Sequence, residues 1–217
     1  MKVARSLDAE TLRVQGIYDK QAPRYDRVIA LAERLLFGGG RQWACAQAAT
    51  GRVLEVGIGT GRNLGWYPHA VEVVGVDVSL KMLAVARGRT DERARSVQLS
   101  VVDAQRLSFR DASFDTVVAT LTLCSIPDHR LAVQEMARVL RPGGRLILLE
   151  HVASSNWLVR VVQRLLDPVT VRFQGDHLLR EPDIAVSNEG LVIDEFDRLK
   201  WGIVARLTAH KPAEPDS

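Results

Sequence analysis

Between residues 52 and 150, short apolar runs alternate with stretches of helical spacing. Residues 52–56 read as a strand, 57–61 as a glycine loop, and a helix is expected from about Arg62. A second strand over 71–76 ends at Asp77. Ser79 is placed to cap a helix running to about Gly88, with Leu80, Leu83, Ala84 and Ala86 as its apolar positions. A third strand over 97–102 ends at Asp103, and a fourth, over 113–121, carries the apolar run Val117-Val118-Ala119. Pro127 opens a helix bearing Leu131, Val133, Met136, Val139 and Leu140. Arg141-Pro142-Gly143-Gly144 stops that helix before a fifth strand over 146–150. Strands alternating with helices imply parallel pairing through right-handed crossovers. The β-like runs 191–199 and 201–210 are nearly contiguous, so residues 200–202 turn a hairpin and the last strand runs antiparallel.

The pattern therefore predicts an α/β fold: a Rossmann-like, doubly wound, seven-stranded sheet with helices on both faces. It is mostly parallel with an antiparallel last strand. Two segments lie outside the alternation. Near the start, Val28, Ile29, Leu31, Ala32, Leu35 and Leu36 recur at helical spacing. Residues 154–183 are longer than a typical crossover. There Leu158, Val161, Val162, Leu165 and Leu166 form an apolar stripe opposite Arg160, Gln163 and Arg164, and Asp167-Pro168 is expected to interrupt the helix. A chain of 217 residues suits one domain. Within it, 1–45 is read as a helical lid, 50–152 as a cofactor-binding core, 153–183 as a helical insertion or lid, and 184–210 as a C-terminal helix and β-hairpin. The polar tail 211–217 is expected to fray.

Composition narrows the function classes. The chain is 47% hydrophobic and 25% charged, which is ordinary for a globular protein. Net charge is +3, and no block of like charges is long enough to track phosphates, so no nucleic-acid partner is expected. Arg87, Arg89, Arg93 and Arg95 alternate with Asp91 and Glu92, as on a solvated face. Cys45 and Cys124 make no metal spacing, and no metal site is assigned. The start lacks the apolar core of a signal peptide, and no apolar run approaches the roughly 20 residues of a membrane span. The expected location is the cytoplasm, with reduced thiols.

The chemistry concentrates at Glu55-Val56-Gly57-Ile58-Gly59-Thr60-Gly61, between a strand and an expected helix. Glycines there admit positive φ and let a ligand press against the backbone, which points to a nucleotide-like cofactor. The dinucleotide fingerprint needs its third glycine at position 62, where Arg62 stands. The P-loop lysine is also missing, since Arg62-Asn63 follows Gly61. NAD, FAD and ATP are disfavoured.

This loop resembles motif I of the class I S-adenosylmethionine-dependent methyltransferases, with Ile58 where cysteine or alanine is common. Asp77, 20 residues past Gly57, stands where the family's acid accepts the ribose hydroxyls. Asp103-Ala104 resembles the pair that holds the adenine, and Arg141-Pro142-Gly143-Gly144 the post-core motif. Tyr18-Asp19-Lys20-Gln21-Ala22-Pro23-Arg24-Tyr25-Asp26 resembles the N-terminal segment of ubiquinone/menaquinone-type and phosphatidylethanolamine methyltransferases. The runs from Leu121 through Pro127, from Glu150 through Val152, and from Leu166 through Pro168 are similar to a thiol methyltransferase subgroup. The resemblance implies binding of S-adenosylmethionine, with S-adenosylhomocysteine as product. The expected contacts are Tyr18, Tyr25, Glu55, Gly57, Ile58, Gly59, Gly61, Asn63, Asp77, Val78, Met82, Asp103, Ala104, Leu121 and Thr122. Tyr18 and Tyr25 are expected over the methionine part. His151 is the candidate base or acceptor-orienting group. The acceptor is expected to be a small hydrophobic molecule, methylated at sulfur, oxygen or ring carbon. Two alternatives stay open: a phospholipid N-methyltransferase that contacts the membrane surface through 157–166 or 28–36, and a non-catalytic cofactor-binding module. The oligomeric state stays open as well.

Overall fold

A computed structural model describes residues 8–48, 50–92 and 97–213. The tail 214–217 and the arginines at 93 and 95 lie outside the described residues. Seven strands form one sheet in the order β3 (Val97–Val101), β2 (Glu72–Asp77), β1 (Arg52–Val56), β4 (Phe114–Thr120), β5 (Leu140–His151), β7 (Val204–His210), β6 (Val192–Leu199). The pairs from β3 to β5 are all parallel, and β7 runs antiparallel to both β5 and β6. The strand order reverses between β1 and β4, and such a switch point opens a crevice at the carboxyl ends of the strands.

The period-2 alternation of a doubly covered sheet is visible side chain by side chain. Leu54, Val56, Val117, Leu146 and Leu148 pack into a core on one face that also holds Val133, Met136 and Val186. Val53, Val118 and Ile147, one residue out of phase, pack on the other with Ala44, Cys45 and Leu83. The helices that supply these partners are α3 (Gly40–Gln47) and α4 (Leu80–Glu92) on the second face, and α5 (His129–Val139) and α7 (Pro182–Asn188) on the first. The remaining helices are α1 (Ala9–Gln21), α2 (Tyr25–Leu36) and α6 (Trp157–Gln174). Asp8 caps α1 by accepting from Thr11 N at 2.7 Å, and Asn156 caps α6 by accepting from Leu158 N at 3.0 Å.

Several expectations are corrected. The helix expected from Arg62 is a series of turns, with Leu64 N bonded to Gly61 O and Trp66 N to Asn63 O. Gly61 at φ 77° and the inward-turned Asn63 prevent regular propagation. Asp167-Pro168 does not interrupt α6, which runs continuously through Pro168. Pro168 lies on the exposed side of the helix, where water can replace its missing N–H. Arg141-Pro142-Gly143-Gly144 ends α5 but belongs to the irregular start of β5, because Gly143 N and Gly144 O both bond to Lys211. Asp128, not Pro127, opens α5, accepting from Arg130 N and Leu131 N. The expected hairpin is present: Gly202 N donates to Leu199 O across Lys200 and Trp201, both at positive φ. Arg89 leaves the expected solvated face, pairing instead with Asp26.

Candidate functional site

The three glycines of the loop after β1 serve three purposes. All have positive φ, at 67°, 56° and 77°. Gly57 is pressed against Thr122, whose side chain would lie within 2.2–2.8 Å of an added Cβ. At Gly59 an added Cβ would meet only the Gly57 carbonyl, 4.0 Å away, so this position opens into the cleft. Gly61 closes the loop onto α4, where a Cβ would strike Leu64 and Ala86. The loop itself is hung on β2: Gly57 N and Ile58 N both donate to Val76 O, at 2.9 and 3.0 Å.

Asp77, at the end of β2, completes this wall. Its Oδ2 accepts from Gly59 N at 2.9 Å and its Oδ1 from Ser79 N at 2.8 Å. Burial raises its pKa to about 6 against the opposing pull of those amides. The carboxylate is therefore fixed in direction before any ligand arrives.

The cleft at the switch point spans about 800 Å³ of space that is partly open to solvent. Of the expected contacts, Tyr18, Tyr25, Gly57, Ile58, Gly59, Asp77, Val78, Met82, Asp103, Ala104, Leu121 and Thr122 all line it. Glu55, Gly61 and Asn63 do not; they build the loop from behind. Asn63 is fully buried and donates to Glu55 Oε1 at 2.9 Å and Thr120 Oγ1 at 3.1 Å. Burial raises Glu55 to about 7, with Asn63 and the Tyr67 hydroxyl bonding to it. Leu121 takes φ 56°, a strained conformation for a non-glycine residue, and lines the cleft at the end of β4. Just beyond it, Thr122 N and Leu123 N donate to Glu150, at 3.0 and 3.1 Å. Burial also raises Glu150 to about 7.

The N-terminal Tyr-Asp repeat divides its labour by residue type. Tyr18 and Tyr25 face the cleft with ring centroids 6.2 Å apart. Asp19 accepts from Ser79 Oγ at 2.6 Å, clamping α1 onto the turn after Asp77. Asp26 accepts from Thr60 Oγ1 at 2.7 Å and pairs with Arg62 and Arg89, fastening α2 to the glycine loop and α4. Sequence reasoning singled out the tyrosines and missed the anchoring aspartates, although the seven-residue repeat of Tyr-Asp was a signal for both. Arg41 was missed outright. It lines the cleft and donates to Asn63 Oδ1 at 3.0 Å, Thr120 Oγ1 at 2.8 Å and Glu33 Oε1 at 2.6 Å. A lone arginine on a short helix carries no local motif.

His151 is not part of the cleft wall. It ends β5 opposite Val204, its Nδ1 has no hydrogen-bond partner among the described residues, and burial lowers its pKa. The cleft wall after β4 is formed instead by Leu121, Thr122, Ser125, Ile126 and Pro127. Cys124 is buried behind them, and burial pushes its thiol well up.

Comparison with known proteins agrees with this geometry. The Methyltransferase domain family matches residues 54–148. A phosphatidylethanolamine N-methyltransferase of Cereibacter sphaeroides is 41% identical over 128 residues, 58% of this chain and 63% of the relative. A demethylmenaquinone methyltransferase of Thermus thermophilus is 36% identical over 169 residues, 73% of this chain and 75% of the relative. A human thiol S-methyltransferase is 33% identical over 165 residues, 72% of this chain and 66% of the relative. The chain thus spans just under two thirds of the first and third of these. Among solved structures, the [4+2]-cyclase SpnF superposes with a TM-score of 0.77 over 94% of this chain and 97% of that one. At 20% identity this shows a shared fold.

Proposed function

The chain belongs to the S-adenosylmethionine-dependent methyltransferase family, and from that premise we propose that it methylates a small hydrophobic acceptor at sulfur, oxygen or ring carbon. The observation that carries this reading is a single cleft at the switch point whose wall combines the acids Asp77 and Asp103 and the open Gly59 with the apolar Leu121, Ile126 and Pro127. The residues fit the cofactor. The Asp77 carboxylate is oriented to accept from ribose hydroxyls, Asp103 and Ala104 border the adenine position, and Gly59 leaves room for close backbone approach. Tyr18, Tyr25 and Thr122 would border the methionine part. Bound there, S-adenosylmethionine supplies a methyl group already activated on sulfonium sulfur. The chain's own work is to align the acceptor and exclude water, with α1 and α2 as the covering layer.

Calorimetric titration with S-adenosylhomocysteine, with NAD as control, tests the cofactor half. Binding of the first alone is expected, followed by methyl transfer to members of a panel of thiols, quinols and phenols. Binding without methyl transfer to any acceptor would move the chain to the non-catalytic cofactor-binding reading, and no binding to S-adenosylhomocysteine would overturn the cofactor half.

A second reading, a phospholipid N-methyltransferase at the membrane surface, is favoured by one observation. The apolar stripe of α6 is not covered: Trp157 is 70% exposed, Leu165 73% and Phe173 68%. Val28, Leu31 and Leu35 of α2 are exposed too. The acids of these helices are engaged within the protein, Asp26 and Glu33 by arginines and Asp167 by Leu178 N. Arg27, Arg34, Arg164 and Arg172 are exposed, so an anionic lipid surface is the matching partner. No helix among the described residues is long and apolar enough to cross a membrane. We place the protein in the cytoplasm, a reading supported by its two buried cysteines, which form no disulfide.

A further inference from the structure

Resting on the methyltransferase reading, we propose that Tyr18 and Asp176 form a relay that removes the acceptor's proton as the methyl group is transferred. Tyr18 faces the cleft, and its hydroxyl donates to Asp176 Oδ1 at 2.9 Å. Asp176 itself is not part of the cleft wall. It is reached from the cleft through Tyr18, which therefore stands between the acceptor and a carboxylate.

The carboxylate is held in place from two sides. Gly175, at φ 79°, ends α6 and packs against Val14 and Ile17 of α1, bringing Asp176 under Tyr18. The Cys124 thiol donates to the same oxygen at 3.8 Å. Among the described residues no lysine, arginine or histidine forms an ion pair with Asp176. The groups that face it from the surrounding elements, Tyr18, Tyr25, Cys124 and Glu150, are all acids. A carboxylate buried without a cation is costly to keep ionised; as a proton acceptor it is well placed. Burial raises the Asp176 pKa, and burial beside Asp176 holds the Tyr18 phenol well above its usual range. Negative charge therefore does not rest on Tyr18, and the proton's final position is Asp176.

The balance is as follows. The acceptor's lone pair forms the bond to the methyl carbon while the carbon–sulfur bond breaks, leaving its pair on sulfur. The acceptor's proton passes to Tyr18 Oη, and the Tyr18 proton passes to Asp176 Oδ1. One positive and one negative charge are cancelled together. Tyr18 is the catalytic residue, touching the acceptor, and Asp176 acts through it.

Two measurements test the relay. In the first, kcat of wild type, Tyr18→Phe, Asp176→Asn and Asp176→Glu is followed against pH with thiols of stepped acidity. Wild type is expected to gain activity as pH rises through a group above the ordinary carboxylate range. Asp176→Asn should lose that limb and about 10²-fold in kcat, on the scale of general-base contributions. The loss should be greatest for the least acidic thiols and smaller in Asp176→Glu, with S-adenosylhomocysteine affinity retained. An unchanged profile in Asp176→Asn overturns the relay. The second needs no turnover and no variant. 4-Nitrophenol is added to the wild-type complex with S-adenosylhomocysteine, and the absorption band of its ionised form is read below its solution pKa. Bound probe that ionises supports the relay, and bound probe that stays neutral overturns it. Failure of wild type to methylate any acceptor, with the probe ionised, would count against the methyltransferase reading and leave the relay standing.

Discussion

Asp77 shows at single-residue scale how the site couples to pH. Its carboxyl is raised to about 6 by burial in the ligand-free protein. In the proposed cofactor site ribose hydroxyls would donate to the ionised form, so cofactor binding would lower that pKa and release a proton. Affinity for S-adenosylhomocysteine is expected to weaken as pH falls through about 6, by up to about tenfold per pH unit, as calorimetry in two buffers would show. Asp77→Ala should remove one or two charge-assisted hydrogen bonds, about 1.5–3 kcal/mol each, and unchanged affinity would contradict the assignment. The glycines separate folding from binding in the same way. Gly57→Ala drives a Cβ into Thr122, so a loss of several degrees in Tm is expected. Gly59→Ala meets no side chain and costs about 1 kcal/mol for its positive φ. It should fold while binding S-adenosylhomocysteine poorly, and tight binding would show that the ligand does not approach that backbone.

Among the elements, α2 is the informative one. It has no fully buried residue, and apart from Leu36, half-buried against Phe37, Leu149 and Val204, packing does little to hold it. Its attachment is polar: Glu33 bonds Arg41 of α3 and Arg62 of the glycine-loop segment, and Asp26 bonds Thr60, Arg62 and Arg89. Glu33 is only 11% exposed, so its two arginines lose a desolvated partner when it is removed. Glu33→Ala is expected to abolish hydrogen-exchange protection in 25–36 and to weaken S-adenosylhomocysteine binding by about tenfold. The sheet, whose core lies elsewhere, should keep its protection. Uniform loss of protection throughout the chain would instead make this clasp part of the global fold.

For the molecule as a whole, the buried carboxyls Glu55, Glu150, Asp77 and Asp176 lower stability as pH rises, against His129, His151 and His177, whose pKa burial lowers. Glu55 and Glu150 are raised to about 7 and Asp77 to about 6. Between the ordinary carboxylate range and these values, the native state holds protons that the unfolded chain has lost. Stability is therefore full at low pH in this window and falls as pH rises through about 7, by at most about 1.4 kcal/mol per unit per group. The Tm of the ligand-free protein should drop between about pH 5 and pH 8, and a rise would show that the lowered histidines outweigh these acids. The exposed apolar faces of α2 and α6 act at the same scale. Co-sedimentation with anionic vesicles at low salt is expected, reduced by Trp157→Glu or Leu165→Glu and by added salt. Failure of wild type to sediment would remove the lipid-surface reading.

The strands and their order along the chain were legible because short apolar runs and punctuation by Gly57, Asp77 and Asp103 are local properties of the chain. The same holds for the cleft contacts that follow each strand, since in a doubly wound sheet the carboxyl ends of parallel strands meet at one crevice. The hairpin at 200–202 was legible from brevity alone. Other features were decided only when distant segments met. Arg41, Asp26 and Asp176 gain their meaning from partners between 8 and 158 residues away, and no local pattern encodes such pairings. His151 followed the right strand yet stood outside the cleft, because position at a strand end does not fix which way the side chain points. The turns after Arg62 and the continuous α6 overrode local propensity, one through Asn63 bonding inward and the other through solvent on the proline face. Local periodicity wrote the frame; long-range polar contacts, which depend on chain topology, chose the groups that close over the site.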